Sequence, residues 1–276
     1  MRSLSDELHF ARGVIRNCNE LIEDVFHKGK LTVITKSDGT KKTPLDDAVS
    51  EMVVGLYRHL RVLSEEDGST AKYGDNGIVV LDPVDGTHDL IAGQSRRPRV
   101  SLAGPSIGLW NKEPVVGVVG LPLLGGEPVI YSASKGSGAF RTVRKSQERL
   151  SLDSQPTKGT VLVTVKKTPE AQKLINNLNA QGFTPWRVDG AVFKACAVAD
   201  PELLKMYRLR GFMPPAGPVV GFVSRGVHLH DVAAAWSIVT EAGGVATMLK
   251  NAPGKQPWIA ANNTRVYELL KHAMNS

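Results

Sequence analysis

The amino-acid sequence predicts a layered α/β protein, and two patterns support that prediction. In the middle of the chain, short apolar runs are separated by Gly and Pro, which is typical of a largely antiparallel sheet. In the second half, strand-like and helix-like segments alternate, which is typical of layered α/β architecture. A polar stretch at 150–159 separates the two parts. It predicts an N-terminal α+β portion, 1–155, and a C-terminal α/β portion, 156–276, that closes over it.

The first 60 residues predict two amphipathic helices joined by a short strand and a loop. Apolar residues recur at helical spacing over 5–27, and the acidic start of that segment is a helix start signal. The run 31–34 predicts a strand, and 36–42 predicts a loop. Pro44 and the acids after it predict the start of a second helix that continues to Leu60, since Pro and acidic residues both favour a first helical turn.

The remaining elements are predicted from the apolar runs and from the residues that separate them. Strands are expected at 78–81, 100–103, 106–110, 115–119, 129–133, 160–165, 219–223 and 258–261. Helices are expected at 169–181, 231–242 and 264–274, and 191–198 is a further patterned segment without an assigned type. The glycines of 135–140 lack the Gly-Lys-Ser/Thr ending of a phosphate-binding loop, so a hairpin turn is the preferred interpretation there.

Composition narrows the class of protein. The chain has 276 residues, of which 42% are hydrophobic and 22% charged, as expected for a globular protein. No apolar run approaches the roughly 18 residues of a membrane span, and the first ten residues are too polar for a secretory signal. A cytoplasmic protein is therefore expected. Cys18 and Cys196 are the only cysteines, which argues against a disulfide framework or a zinc site and predicts two buried apolar side chains.

The net charge of +7 indicates an anionic partner. Basic residues are dispersed along the chain, and the densest groups lack the interleaved aromatics of a surface that binds single-stranded nucleic acid. The charge therefore favours a small phosphorylated metabolite over nucleic acid as the partner.

The most informative stretch is Asp82-Pro83-Val84-Asp85-Gly86-Thr87, which directly follows the apolar run 78–81. A buried strand there would deliver two carboxylates into a tight turn. Oxygen ligands suit Mg²⁺, which proteins usually hold with a few carboxylates and share with substrate phosphate. The turn is therefore a candidate catalytic centre.

Two other acidic stretches each have an ordinary alternative explanation. Glu65 and Glu66 belong to a run of three acids that could be a solvated turn. Asp231 precedes a helix and could simply be its N-cap. His228 and His230 alternate as they would on one face of a strand, where they could bind a metal or form hydrogen bonds.

Together these stretches resemble a known family. Leu63-Ser64-Glu65-Glu66, Asp82-Pro83-Val84-Asp85-Gly86-Thr87 and His230-Asp231-Val232-Ala233-Ala234 are similar to the E-E, D-P-x-D-G-T and W-D-x-A-A motifs of the inositol monophosphatase superfamily of Mg²⁺-dependent, lithium-sensitive phosphatases. The resemblance implies alternating helix and sheet layers of the inositol monophosphatase/fructose-1,6-bisphosphatase type. It also implies hydrolysis of a small phosphate monoester, two or three Mg²⁺ ions and a homodimer.

The resemblance also implies roles for individual residues. The metal ligands would be Glu65, Asp82, Asp85, Asp231 and the backbone carbonyl of Val84. Asp46 would hold water and orient Thr87, and Thr87, paired with Glu65 or Asp46, would position the attacking water. Backbone amides of Gly86 and Thr87 would bind phosphate. The order Leu45-Asp46-Asp47 departs from the family pattern and leaves open whether Asp46 or Asp47 is the water-positioning acid.

Substrate-side residues point to one branch of the superfamily. Asp85-Gly86-Thr87-His88-Asp89-Leu90 is closer to the D-G-T-K-D/E-F of 3′(2′),5′-bisphosphate nucleotidases than to the D-G-T-x-N-F of inositol monophosphatases. Val192-Phe193-Lys194-Ala195-Cys196 is similar to the nucleotidase S-L-K-x-C. His88, Lys194 and His230, which replaces the family Trp, are therefore expected on the substrate side. Lys194 could equally be a surface lysine.

Three alternatives remain open from the sequence alone. Inositol 1-phosphate, histidinol phosphate or another sugar phosphate could be the substrate in place of a bisphosphate nucleotide. In another class of function, the chain could be a non-catalytic protein that binds a phosphate ligand or nucleic acid on the same scaffold. Clustered carboxylates argue against that class, because they repel one another without a metal.

Overall fold

The computed structural model describes residues 3–37, 39–66, 69–152, 156–164, 168–206, 217–250 and 253–275. Asp67 of the acidic turn and Val165 of a predicted strand lie outside the described residues. The N-terminal segment contains α1 (Leu4–Lys28), β1 (Ile34–Thr35), β2 (Lys41–Lys42) and α2 (Pro44–Leu56). Both predicted helices are confirmed, although α2 ends four residues before Leu60. Ser3 caps α1 by accepting from the backbone N–H of Asp6 at 3.2 Å.

A seven-stranded sheet forms the centre of the N-terminal portion. Its strands are β3 (Arg61–Ser64), β4 (Ile78–Asp85), β5 (Gly104–Trp110), β6 (Pro114–Leu121), β7 (Val129–Ser134), β8 (Gly138–Val143) and β9 (Ser146–Arg149), adjacent in that order. The β3–β4 pair is parallel and every other neighbouring pair is antiparallel, which confirms the antiparallel prediction. The short helix α3 (Thr87–Gly93) follows β4. In the glycine-containing stretch 135–140, residues 135–137 form the β7–β8 hairpin turn, as expected, and 138–140 begin β8.

A five-stranded sheet follows in the second half. The elements are β10 (Thr160–Thr164), α4 (Pro169–Ala180), β11 (Thr184–Arg187), α5 (Ala191–Ala199), α6 (Leu203–Met206), β12 (Val219–Val227), α7 (Ala233–Glu241), β13 (Val245–Met248), β14 (Gln256–Ala261) and α8 (Thr264–Asn275). The strand order is β11-β10-β12-β14-β13, with β10 parallel to β11 and β12, and β14 antiparallel to β12 and β13.

Buried side chains divide these elements into alternating layers. One cluster joins α1 and α2 to one face of the seven-stranded sheet, and another joins α4 and α8 to one face of the five-stranded sheet. Between the sheets, α5 and α7 pack against both inner faces. The result is a helix, sheet, helix, sheet, helix sequence of layers, which confirms the layered α/β prediction. Because the middle cluster takes side chains from both portions, the division at 155 stays a prediction.

Two strand predictions are wrong for a common reason. Residues 100–103 are irregular because their backbone donors bind elsewhere: the N–H of Leu102 donates to the Asp89 carboxylate at 2.7 Å, and that of Ser101 to the carbonyl of Leu123 at 2.8 Å. At 31–34 only Ile34 is in a strand, and the N–H of Leu31 donates to the side chain of Gln94 at 3.0 Å. Apolar runs alone did not reveal these distant acceptors.

Smaller differences concern the ends of elements and a turn. The helix expected from 231 begins at Ala233, and β12 ends at Val227, so His228 and His230 lie in the intervening turn rather than on a strand face. Strand β2, which lies within the expected loop 36–42, was not predicted, nor were β3, β8, β9, β11 and β13. Cys18 and Cys196 are both buried, as expected. Across the described ranges, no helix is long and apolar enough to cross a membrane.

Candidate active site

The predicted acidic residues meet at one cleft of about 700 Å³. Asp82 and Asp85 come from the end of β4, Glu65 follows β3, and Asp231 precedes α7. The other predicted residues that line the cleft are Val84, Gly86, Thr87, His88 and Lys194. Asp46 lies behind Thr87, and His230 lies beside Asp231. Acids more than 140 residues apart in sequence are thus neighbours in the fold.

A register irregularity in β4 explains how both of its carboxylates reach the cleft. Asp82 pairs with Ser106 of β5 and Asp85 pairs with Gly104, so three steps along β4 correspond to two along β5. Side chains three residues apart point to opposite faces of a regular strand. A bulge adds the residue that turns the strand and redirects a side chain. Both acids are buried, with Asp82 at 1% exposure and Asp85 at 8%.

Gly86 turns the chain from β4 into α3. Its φ of +81° lies in the left-handed region, which glycine adopts without a steric penalty. A Cβ at this position would also come to 3.4 Å from the Cα of Gly190 across the cleft. Glycine at 86 therefore permits both the turn and the close approach of the C-terminal portion.

Thr87 and Asp46 form a buried connection between α3 and α2. Thr87 Oγ1 lies 3.0 Å from Asp46 Oδ1 and 2.9 Å from the carbonyl oxygen of Val84, so its single proton has two competing acceptors. The other oxygen of Asp46 accepts from the backbone N–H and hydroxyl of Thr43, at 2.9 and 2.7 Å. Asp47 instead forms an ion pair with Lys42. Asp46, not Asp47, is therefore the acid that contacts Thr87.

Asp85 connects the cleft to the buried helix α5. Its Oδ2 accepts from the backbone N–H of Val192 at 2.9 Å, in the first turn of that helix. Gly190, the residue before the helix, leaves only 3.2 Å between that oxygen and the position of a Cβ. The carboxylate is held by α5 on one side and faces the cleft on the other.

Close packing of α7 on the seven-stranded sheet fixes the position of Asp231, which lies just before the helix. A Cβ at Gly117 of β6 would lie 2.0 Å from the carbonyl oxygen of Ala234, so only glycine there lets α7 lie directly on the sheet. Before the helix, the N–H of His228 donates to Asp231 Oδ2 at 2.7 Å. The Nε2 of His230 lies 3.3 Å from Asp231 Oδ1, and the rings of His228 and His230 stack with centroids 4.9 Å apart.

The electrostatics of the cleft favour a bound cation. Burial raises the pKa of Asp82 well above its usual range, and the charges of Glu65, Asp85, Asp231 and Asp46 raise it further. Burial likewise raises the pKa of Asp85 to about 7 and that of Asp231 to about 6. Among the described residues, no hydrogen-bond donor reaches Asp82 Oδ1, although that oxygen is buried. A buried, unpaired carboxylate oxygen among other acids fits a hard divalent cation.

Two lysines already neutralise part of this charge. Lys36 Nζ lies 3.1 Å from Glu65 Oε1 and also pairs with Glu66, which in turn pairs with Lys42 at 2.8 Å. Within the described ranges, no three His, Cys, Asp or Glu side chains are grouped closely enough to hold a metal. On the Glu65 side, the carboxylate already pairs with the ammonium group of Lys36. Sequence analysis missed Lys36 because nothing in a polar loop marks one lysine as the partner of an acid about 30 residues away.

Lys194 is not a surface lysine. Its side chain is 1% exposed, its Nζ donates to the carbonyl of Val188 at 2.9 Å, and it lies 5.0 Å from the centroid of the Phe222 ring. Burial lowers its pKa to about 8, while the charges of Asp85, Asp189 and Asp231 act in the opposite direction. A cation is thus built into the wall of the cleft.

The mouth of the cleft carries mixed charge. His88 is exposed and its Nδ1 lies 3.2 Å from Asp189 on the opposite portion. Lys41 and Arg187, which sequence analysis did not single out, also line the mouth. Asp89 is turned away into the protein, where Arg96 binds both of its oxygens at 2.6 and 3.2 Å.

Comparison with known proteins agrees with this arrangement. The sequence profile described as "Inositol monophosphatase family" matches residues 3–275. Human inositol monophosphatase 1 is 28% identical over 282 residues, covering 95% of this chain and 92% of the relative. A histidinol-phosphatase from Chlorobaculum parvum is 27% identical over 180 residues, 59% of this chain and 61% of that protein. The solved IMPase of Thermotoga maritima aligns with a TM-score of 0.73 at 24% identity, over 98% of this chain and 97% of that one.

These relatives are phosphatases, hydrolases of phosphoric monoesters, which favours an enzyme over the non-catalytic alternative. The fold, the acidic cleft and the match along nearly the whole sequence agree, and the chain belongs to the inositol monophosphatase family.

Proposed function

We propose that the cleft hydrolyses a small phosphate monoester with Mg²⁺ bound by Glu65, Asp82, Asp85, Asp231 and the carbonyl of Val84. The observation that supports this most strongly is Asp82. Among the described residues no donor reaches its buried Oδ1, and burial together with the charges of four neighbouring acids raises its pKa. Leaving such a group unpaired costs free energy, so its natural partner is a cation supplied from solution. Divalent ions, when bound, neutralise phosphoryl oxygens, acidify water and stabilise the leaving alkoxide.

The chain's own residues orient the nucleophile. With the carbonyl of Val84 bound to metal, the Thr87 hydroxyl donates its hydrogen bond to Asp46, which leaves the Oγ1 lone pairs to accept a hydrogen bond from a water in the cleft. Because both oxygens of Asp46 are engaged, the acid holds Thr87 in one orientation. An oriented water needs less reorganisation before attack on phosphorus.

The phosphate group is held by backbone and cation together. The N–H groups of Gly86 and Thr87 lie at the turn into α3, where helix geometry leaves backbone donors without helical partners. Lys194 retains two N–H donors beyond the one given to Val188. These donors would balance part of the phosphoryl charge.

For the substrate, we propose a 3′(2′),5′-bisphosphate nucleotide. The cleft of about 700 Å³ has cationic side chains at two depths. Lys194 is buried in its wall, and Lys41 and Arg187 lie at its mouth. A substrate with two phosphates can contact both levels. Inositol phosphate and histidinol phosphate, suggested by the names of the relatives, are the competing substrates. A cytoplasmic homodimer inhibited by lithium is likewise part of the proposal.

A substrate panel tests the proposal. Adenosine 3′,5′-bisphosphate, inositol 1-phosphate, histidinol phosphate and fructose 1,6-bisphosphate are assayed for phosphate release with Mg²⁺ and with EDTA. We expect release that requires Mg²⁺ and the highest kcat/KM for the bisphosphate nucleotide. Arg187→Met should raise KM for that substrate more than for inositol 1-phosphate, because Arg187 lies at the mouth, where only the second phosphate would reach it. A preference for inositol 1-phosphate or histidinol phosphate would overturn the nucleotide assignment, and release in EDTA would overturn the metal assignment.

A further inference from the structure

The turn between β12 and α7 places an imidazole beside Asp231. The side chain of His230 is 16% exposed, and the ring of His228 stacks on it with an interplanar angle of 22°. The backbone N–H of His228 already holds Asp231 Oδ2 at 2.7 Å. The remaining oxygen of that carboxylate, Oδ1, is the one nearest His230.

The separation of the two atoms matches that of two ligands of one metal ion. Nε2 of His230 and Oδ1 of Asp231 are 3.3 Å apart, beyond the usual range of an N–H···O hydrogen bond. Two ligand atoms about 2.1 Å from the same ion lie about 3.0 to 3.4 Å apart at ordinary coordination angles. The pair is therefore spaced to bind a cation between them as well as to contact each other.

The charge around the pair also fits a cation. Burial lowers the pKa of His230, which favours the neutral imidazole that can bind a metal, and the charge of Glu65 acts in the opposite direction. Lys36 contacts Glu65, and the charges of Lys36 and Lys255 act on His230 in the same direction as burial. A cation at the pair would take over the neutralisation of Glu65 that Lys36 now supplies.

We propose that the Glu65–Asp231 side of the cleft binds a divalent transition-metal ion such as Mn²⁺ or Co²⁺ through Nε2 of His230 and Oδ1 of Asp231. The inference rests on the proposed function, in which Asp231 is a metal carboxylate. Imidazole is a good ligand for first-row transition metals, whereas Mg²⁺ prefers oxygen. His230 thus widens the choice of metal beyond Mg²⁺.

Pulsed EPR of Mn²⁺ bound to the full chain tests the proposal without any turnover. We expect a ¹⁴N coupling of directly bound imidazole in the wild type, replaced by a ¹⁵N pattern when the protein is labelled with ¹⁵N-histidine. This arm needs no substitution, so folding of a variant does not affect it. A wild-type spectrum without nitrogen coupling overturns the proposal.

Two matched variants identify the histidine. His230→Gln should lose the nitrogen coupling and weaken Mn²⁺ binding about tenfold or more in calorimetry, with a smaller effect on Mg²⁺. His228→Gln keeps the backbone N–H that contacts Asp231 and should keep the coupling. Thermal melting in EDTA checks that both variants fold. Coupling that persists in His230→Gln, or that is lost in His228→Gln, overturns the assignment to His230.

The result is independent of the test of the proposed function. Mg²⁺-dependent phosphate release without nitrogen coupling to Mn²⁺ would overturn the His230 proposal and leave the phosphatase intact. Nitrogen coupling without phosphate release under any cation would support His230 as a metal ligand and overturn the phosphatase proposal.

Discussion

A buried aspartate contacts each end of helix α5: Asp200 directly follows the helix, and Asp85 of β4 accepts from its first turn. The surroundings of these two carboxylates are opposite. At the C-terminal end of α5, Asp200 accepts from the Tyr131 hydroxyl at 2.8 Å and from Arg141 at 2.7 Å. At its N-terminal end, Asp85 faces the cleft beside Asp82, whose Oδ1 has no donor among the described residues. Asp200 and Asp82 are 3% and 1% exposed, so burial does not distinguish them.

The partners of each acid make the difference. A buried carboxylate with a cation and a hydroxyl is electrically balanced by the fold itself. A buried carboxylate surrounded by other carboxylates is balanced only when something binds. The first arrangement holds the seven-stranded sheet to α5, and the second is a binding site.

The largest expected effect is on turnover. Asp82→Asn should lower kcat by about 10³-fold or more, because it removes a charged metal ligand. In EDTA the same variant should melt no lower than the wild type, since it also removes repulsion among the acids. Phosphate release and thermal melting on one preparation measure both effects. Undiminished turnover would refute the role of Asp82.

Asp200→Asn should produce the reverse pattern. It removes the buried carboxylate that pairs with Arg141. The free energy of unfolding should therefore fall by about 3 kcal/mol in denaturant titration. The rate per folded molecule should change little. A large loss of rate at full folding would show that Asp200 belongs to the site as well.

Neighbouring acids on α2 sharpen the comparison further. Asp46→Asn should lower kcat about 100-fold, because the amide orients Thr87 less well. Asp47→Asn is the control, since its carboxylate pairs with Lys42 outside the cleft, and it should stay within about twofold. Steady-state kinetics on both variants measure the contrast, and equal losses would contradict it.

The pH dependence of stability should be opposite to that of a paired acid. The pKa values of Asp82, Asp85 and Asp231 are raised, the last two to about 7 and about 6. Between pH 4 and 7 the folded protein therefore binds more protons than the unfolded chain, so stability in EDTA falls as pH rises. We expect a loss of several kcal/mol across that window, measured by denaturant titration in EDTA. Saturating Mg²⁺ should remove most of it, and a rise in stability in EDTA would contradict the raised pKa values.

The sequence predicted the layers and the acidic motif because each depends on local pattern. Strand β4 ending in Asp82 and Asp85 is visible as an apolar run followed by acids, and α1 as a helical period. The choice between Asp46 and Asp47 needed the fold, because consecutive helical residues point about 100° apart and only the position of Thr87 selects one.

Other features depend on contacts between distant residues. The partners of Asp200 lie 59 and 69 residues away, and Lys36 reaches Glu65 from a polar loop. The failed strand at 100–103 has the same origin, since Asp89 supplies an acceptor that no apolar pattern shows. Long-range polar pairing is what the sequence pattern could not supply.

The central claim is that Asp82 and the acids around it in the cleft are a divalent-cation site. Thermal melting of the wild type and of Asp82→Asn at neutral pH, with Mg²⁺ titrated into the EDTA-treated protein, tests it most directly. We expect Mg²⁺ to raise the Tm of the wild type in a saturable way and to leave the Tm of Asp82→Asn nearly unchanged. An equal Mg²⁺-induced rise in both proteins would contradict the claim.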